Sequence, residues 1–456
     1  MATRSQDSAD PIRFTIAPRP HGFTDQMLQF AVLYRLGRSL GWTYRHTPFA
    51  SPFSSPPPPA PGDPSLRAWL AGLPQRLVWR GPRRGLVPIP EIYEFLGFNR
   101  HFEERDEMAD ARPDRVVDLP IVDRWLRENG ATTAEGVQKL VSERAAAALG
   151  DDRDRLVRLR ITAGRRFFGT VLAGTSPPRD GPDLRAIYEQ ARGREPWRSL
   201  YRGRGLRILL HIRQGDTAAL ETPWSTWLPL WPRSHSTVFR EYGRLGAIPD
   251  RRHLRVRDFV PLAQAFGAVL APRSYSMLAF SDGFERSFSF LRSIRHRVAL
   301  PPERIDAVLA TERGYEAKQF RRLERLDDCR CIVGESPRKL CDFVESALKA
   351  DVIVVGGQQR LVPKLLATYC TPDTMPLVIV LHRGGGFGRA PRRFYQIVGL
   401  GRRADCFAFM DARKPDSAAL AGLLEDRFGG NPRFRPADGA RPPTGPPRLR
   451  SPRELS

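Results

Sequence analysis

The residues best suited to chemistry in this chain lie at the end of an apolar run. Leu206 to Asp216 reads LRILLHIRQGD, so a strand-like segment opens directly into His211, Arg213 and Asp216. Alternation along a strand puts His211 and Arg213 on one face, and open α/β sheets bind ligands at the carboxyl ends of their parallel strands. A guanidinium fork in that position suits a diphosphate: it makes two parallel charge-assisted hydrogen bonds and neutralises charge building on a leaving group. The competing structural role is an Arg213–Asp216 ion pair beside a core histidine.

Three other segments carry polar groups at similar places. Between His21 and His46 a turn at Gly22 runs into an amphipathic helix with Met27, Phe30, Ala31 and Tyr34 on its buried face. The amides at its start, near Asp25 and Gln26, can dock a substrate anion or hydroxyl, although any first helix of a domain looks much the same. The run Met277 to Asp282 is an apolar strand ending in Ser281 and Asp282, where a carboxylate reaches a ribose or base, or else caps the next helix. The strand at Asp351 to Val355 breaks at Gly356 and Gly357 before Gln358 and Gln359. Paired glycines let backbone amides approach a phosphate closely, and they also make a simple turn.

Two weaker patterns are read as structural. Asp152 and Asp154 have D-x-D spacing but sit in a charged run, so a solvated face is expected and no metal. The loop His382 to Gly388, HRGGGFG, follows a strand yet lacks the lysine of a phosphate-binding P-loop. The five cysteines (Cys329, Cys331, Cys341, Cys370 and Cys406) form no C-x-x-C pair, so neither a disulfide framework nor a zinc site is indicated.

The formal charge of +23 invites a nucleic-acid reading. Only six of the 73 basic residues are lysine, however, and arginine is spread over the whole chain without the aromatic interleaving of a stacking platform. No specific nucleic acid is expected. What survives is attraction for acidic partners: nucleotide phosphates, or peripheral contact with an anionic membrane leaflet. Residues 1 to 20 hold no apolar stretch of signal-peptide length and no run is long enough to cross a bilayer, so the expectation is a cytoplasmic protein, able to touch the inner membrane face.

The elements that must position these residues follow from periodicity. In the C-terminal half, strands are expected at Leu206 to Arg213, Ser276 to Phe280, Cys329 to Val333, Asp351 to Val355, Leu377 to Leu381 and Cys406 to Met410. Helical patterns fall between several of them, the clearest starting with Ser336 as N-cap and Pro337 in the first turn, then Leu340, Phe343, Val344, Ala347 and Leu348 at helical spacing. In the N-terminal half a strand is expected at Ile12 to Ile16, then a helix from Thr24 to Leu40 closed by Gly41. Further strands are expected at Arg76 to Trp79, Val116 to Leu119 and Leu156 to Ile161. Such alternation argues for parallel sheets. Length and composition suggest two domains, residues 1–200 and 201–428, joined in the polar stretch 194–205. A Pro-rich insert at 48–64 and a disordered Pro/Arg-rich tail at 429–456 complete the plan.

Taken in order, a glycine turn entering a helix, an H-x-R-x-x-D segment, a strand ending in Ser-Asp and a late strand with a small polar turn resemble the GT-B fucosyltransferases. That group comprises the alpha-1,2, alpha-1,6 (nodulation-factor enzymes included) and protein O-fucosyltransferases. The resemblance implies two Rossmann-like domains facing an interdomain cleft, and inverting, metal-independent transfer of a deoxysugar. Fucose from GDP-fucose is the implied donor, and a glycan or lipid-linked saccharide hydroxyl the acceptor. It assigns catalysis to Arg213, acting on the leaving diphosphate; the acceptor hydroxyl would be assisted by a base, for which Asp25 is the candidate, or by the cleft itself. Donor binding would fall to His211, Asp216, Gly22, Gln26, Ser281, Asp282, Gly356, Gly357 and Gln358. No cofactor is implied beyond the GDP-sugar itself. The chain departs from the pattern at Gln214, where many members have a second arginine, at Thr24, which replaces a glycine, and at Gly356 to Gln359, which stands for a Ser/Thr-rich turn. These departures keep open a different nucleotide-sugar donor, or a non-catalytic protein of the same fold that binds glycans or polyanions.

Overall fold

The computed structural model of the protein describes residues 11–17, 23–48, 89–109, 112–152, 154–161, 171, 183–203, 205–213, 254–271, 273–281, 302–326, 328–334, 337–356, 361–370, 373–383 and 406–434. The strand expected at Arg76 to Trp79 and almost all of the Pro-rich insert lie outside them. In chain order the elements are β1 (Arg13–Ile16), α1 (Phe23–Ser39), β2 (Thr43–Tyr44), α2 (Ile89–Phe95), α3 (Phe98–Glu103), β3 (Val116–Ile121), α4 (Asp123–Glu128), α5 (Ala134–Leu149), β4 (Leu156–Ile161) and α6 (Leu184–Arg194). The C-terminal half continues with β5 (Leu206–Ile212), α7 (Val256–Leu270), β6 (Tyr275–Ser281), α8 (Pro302–Glu324), β7 (Cys329–Val333), α9 (Pro337–Lys349), β8 (Val352–Gly356), α10 (Leu361–Tyr369), β9 (Leu377–His382), β10 (Phe407–Asp411) and α11 (Ser417–Phe428).

Both sheets are wholly parallel, as the alternation of strand and helix signals implies. Among the described residues the first has four strands in the order β2-β1-β4-β3, the second six in the order β10-β9-β8-β5-β6-β7. Counted from β5, the second order runs 6-5-4-1-2-3, the doubly wound arrangement of Rossmann-like folds. Its central strands are apolar on both faces because helices cover both: β5, β8 and β9 are buried almost throughout. One face (Leu206, Ile208, Leu210, Ile212) packs into a core with α7, α8 and α11. The other (Leu209, Leu278, Ile353, Val355) faces α9 and α10, and that core runs on without a break into the N-terminal half, taking in Phe14, Phe30, Tyr93 and Tyr188.

The two halves therefore meet, among the described residues, through a packed double layer of helices. Helix α1 lies along α10, and α2 meets α9. Where the sequence suggested an open cleft between two sheets, the middle of this junction is filled. The stretch 194–205 that joins the halves is also pinned: Leu200 and Tyr201 are buried, and the Tyr201 hydroxyl donates to the Ser346 carbonyl at 3.0 Å.

Local chemistry explains the element ends. Gly41 closes α1 with φ at 75°, the left-handed region that a glycine adopts without steric cost. Asp183 and Asp416 cap α6 and α11 by accepting backbone N–H groups. Asp118 and Arg158 are register partners on β3 and β4 and form a two-pronged pair at 2.7 and 2.8 Å. Order extends past Gly429, where a tail was expected to begin: Phe434 is buried beneath Arg273, whose guanidinium sits 4.0 Å from the ring centre. The buried Phe434 ring and an ion pair from Arg433 to Asp351 at 3.6 Å both hold that stretch on the fold.

Candidate functional site

Strand order reverses between β5 and β8, and in doubly wound sheets the crevice outside the carboxyl ends of those two strands is where ligands bind. His211 is the register partner of Val355 across this pair, which brings Ile212 and Arg213 alongside the end of β8 at Gly356. The H-x-R segment and Gly356, read separately in the sequence, thus converge on one place. Arg213 is partly exposed there, one residue beyond the end of β5.

The histidine is placed differently from the arginine. His211 is buried, its ring 4.8 Å from that of Phe343 on α9, on the sheet face that looks toward the N-terminal half. It braces the carboxyl end of β5 against α9. Ser281, expected to touch the donor, is buried at the end of β6, and its carbonyl accepts the Gly334 N–H at 2.9 Å. As the register partner of Ile212 it takes the face opposite His211, because alternation follows register across a parallel pair.

Gln26 also differs from expectation. It is 1% exposed in the core, and its side-chain oxygen accepts the Tyr93 hydroxyl at 2.5 Å. That gives Gln26 the job of holding α2 against α1. Asp25 lies in the first turn of α1. Gly22, Asp216, Asp282, Gly357 and Gln358 lie outside the described residues.

Sequence reasoning missed a second feature of the same edge. Arg383, just after β9, makes two contacts with Asp258 in the first turn of α7, Nη2 to Oδ2 at 2.5 Å and Nε to Oδ1 at 3.1 Å. Asp258 also accepts the Arg255 backbone N–H at 2.6 Å, so its carboxylate is fully engaged while buried. An arginine directly after a strand was visible in the sequence, but nothing local pointed to a partner 125 residues away. The Asp152 and Asp154 pair is structural: Arg13 bonds both the backbone carbonyl and the side chain of Asp154. Among the described residues no group of three or more His, Cys, Asp or Glu side chains is gathered as for a metal, and no helix is long and apolar enough to cross a membrane.

A large open groove lies beside the junction of the halves. It has a volume of about 1210 Å³ and is walled by α2, α3, the end of α6, the segment 195–198 and the first turns of α9. Trp197 forms part of its wall, with its indole N–H fixed by Asp342 at 2.8 Å.

Compared with protein-family models, with curated proteins and with solved structures, the chain gives no match. The class that fold and site define is a doubly wound α/β protein with a basic group at its topological switch point.

Proposed function

We propose that this chain binds a nucleotide diphosphate-sugar at the switch point between β5 and β8 and transfers the sugar to a hydroxyl acceptor. The observation that carries the reading is the adjacency of Arg213 and Gly356, the last residue of β8, at the reversal of strand order. A partly exposed arginine beside a strand that ends in glycine offers a phosphate a charged group and a backbone it can approach closely.

In this mechanism the acceptor hydroxyl attacks the anomeric carbon as the bond to the diphosphate breaks. Arg213 neutralises the charge that gathers on the departing oxygen, and the acceptor proton passes to a base, assigned to Asp25. The motif resemblance favours fucose from GDP-fucose, transferred with inversion and without a metal.

The test is thermal unfolding of the full chain with GDP, UDP, ADP and CMP in turn. A ligand at about 100 times its dissociation constant adds roughly 2.7 kcal/mol to stability. A selective response to GDP is the expected result, and the absence of any nucleotide response overturns the proposal.

A second reading, binding of a glycan or polyanion without transfer, is favoured by Gln214 and by the packing of His211 against Phe343. Release of GDP from GDP-fucose in the presence of an acceptor separates the two, since a binder yields no product.

A further inference from the structure

The groove between α2, α3, α6 and α9 contains none of the residues at the carboxyl ends of β5, β6, β8 or β9. It is a separate surface. We propose that it binds a neutral oligosaccharide.

Charge decides the class of ligand. In a chain of formal charge +23, this lining holds five glutamates and five arginines, so its formal charges cancel. Several are already paired: Glu104 takes both Arg100 and Arg194, and Glu195 takes Arg100. Burial and the nearby Arg105 hold His101 down to about 4, so it is neutral and adds no charge. A polyanion would meet the carboxylates, and an apolar ligand would strip water from charged groups without repaying the cost.

Glu91, Glu94 and Glu103 make no ion pair among the described residues, nor does Arg338 of the same lining. Acceptors and donors of this kind lining one groove match hydroxyl groups, each of which donates one hydrogen bond and accepts others.

The wall supplies an apolar platform as well. Trp197 is half-buried, held edge-on by Phe95 at 5.0 Å and fixed through its N–H to Asp342. Arg192 braces the same pair, stacked 4.3 Å over Phe95 and bonded to its carbonyl. An aromatic face locked in this way offers the C–H surface of a pyranose contact area at little cost in side-chain entropy. The volume exceeds the roughly 300–1,000 Å³ of ordinary small-molecule sites, leaving room for several sugar units.

The proposal deepens the glycosyl-transfer reading and rests on it for its purpose: the groove would hold sugars of the acceptor that lie away from the reacting hydroxyl. The experiment measures binding of the full chain to neutral oligosaccharides, with sulfated oligosaccharides and a single-stranded oligonucleotide as charged arms. The GDP-induced thermal shift is recorded on the same samples.

Neutral ligands should bind, and Glu94→Gln and Trp197→Phe should each weaken them by about tenfold while the GDP shift persists. Arg213→Ala should do the reverse, losing GDP and keeping the glycan. Glu94 is exposed, so its variant tests the groove even if changes at Trp197 disturb folding. Preference for the charged arms, or no glycan binding while GDP still stabilises, overturns the groove proposal and leaves the nucleotide reading intact. Glycan binding with no response to any nucleotide supports the groove and removes the nucleotide reading.

Discussion

The indole N–H of Trp197 donates to Asp342 Oδ1 at 2.8 Å, and this bond ties the segment leading into β5 to a buried face of α9. Asp342 is buried, with Arg198 a further 3.8 Å away as its only charged neighbour among the ion pairs described. Removing the carboxylate strands a donor in a partly desolvated place, which typically costs about 1–3 kcal/mol. Asp342→Ala should therefore lower the urea midpoint, and Trp197 fluorescence should shift to the red as the ring loosens. An unchanged midpoint would mean that the bond contributes nothing to the junction.

Arg213→Ala should fold normally, because the residue lies partly exposed beyond the end of β5. Loss of one preorganised group that stabilises developing charge lowers turnover by about 100-fold to 1000-fold. Sugar transfer from GDP-fucose, followed by GDP release, is the measurement, with circular dichroism as the check on folding. Turnover equal to the parent chain rejects the assignment of the diphosphate to this guanidinium.

How far these features were legible in the sequence depends on the range of the interaction concerned. All six C-terminal strands could be read to within a residue or two, because central parallel strands are continuous apolar runs bounded by turns. Helix α9 shows where such reading stops. Leu340, Phe343, Val344, Ala347 and Leu348 marked one face, but Asp342, Glu345 and Ser346 are just as buried on another. They bond Trp197, Tyr188 and Tyr201, which come from about 145 to 157 residues earlier in the chain. A polar residue at a helical position reads as solvent-facing until the partner that covers it is known. Gln26 misled for the same reason: a helix N-terminus suggests a ligand, and only the arrival of Tyr93 turns that amide inward.

The Arg383–Asp258 pair should respond asymmetrically to substitution. With Arg383→Ala the buried carboxylate loses its counter-ion, which costs about 3–5 kcal/mol. Replacing both partners by uncharged residues of similar size, Asp258→Asn with Arg383→Met, should cost much less, because no uncompensated charge is left behind and the amide oxygen still accepts the Arg255 N–H. Urea denaturation of the three proteins checks this, and equal losses in the single and double variants would show that an uncompensated charge is not the source of the loss.

Gly205 enters β5 so close to the neighbouring backbone that a Cβ on it would sit 1.9 Å from the Ser274 carbonyl oxygen. Backbone cannot swing aside as a flexible side chain can, so Gly205→Ala must shift the start of β5 relative to β6. The expected loss is at least as large as that of overpacking a core, about 1–3 kcal/mol. Because the shift travels along the strand that carries Arg213, nucleotide response should fall with stability. Retention of both would show that the strand start yields freely.

Stability should fall with acid through a histidine that has no part in the proposed chemistry. His46 is fully buried in the N-terminal half, stacked 4.4 Å from Phe102, with Nδ1 accepting the Tyr44 hydroxyl at 2.8 Å and Nε2 donating to Asn99 Oδ1 at 2.9 Å. Burial lowers its pKa to about 4, with the Asn99 bond opposing and His101 assisting. Above pH 6.5 the ring is neutral in both folded and unfolded chains, so it makes no pH-dependent contribution there. Between pH 6.5 and 4 the unfolded chain takes up a proton that the native chain refuses, and stability declines across that window by about 3 kcal/mol before levelling off. His101, lowered to about 4 but half exposed, adds a smaller loss over the same range. His46→Gln removes the larger contribution, so its unfolding free energy, taken from urea titrations at several pH values, should be flatter from neutral to pH 4 than that of the parent. Parallel slopes would mean that His46 is protonated in the native chain as readily as in the unfolded one.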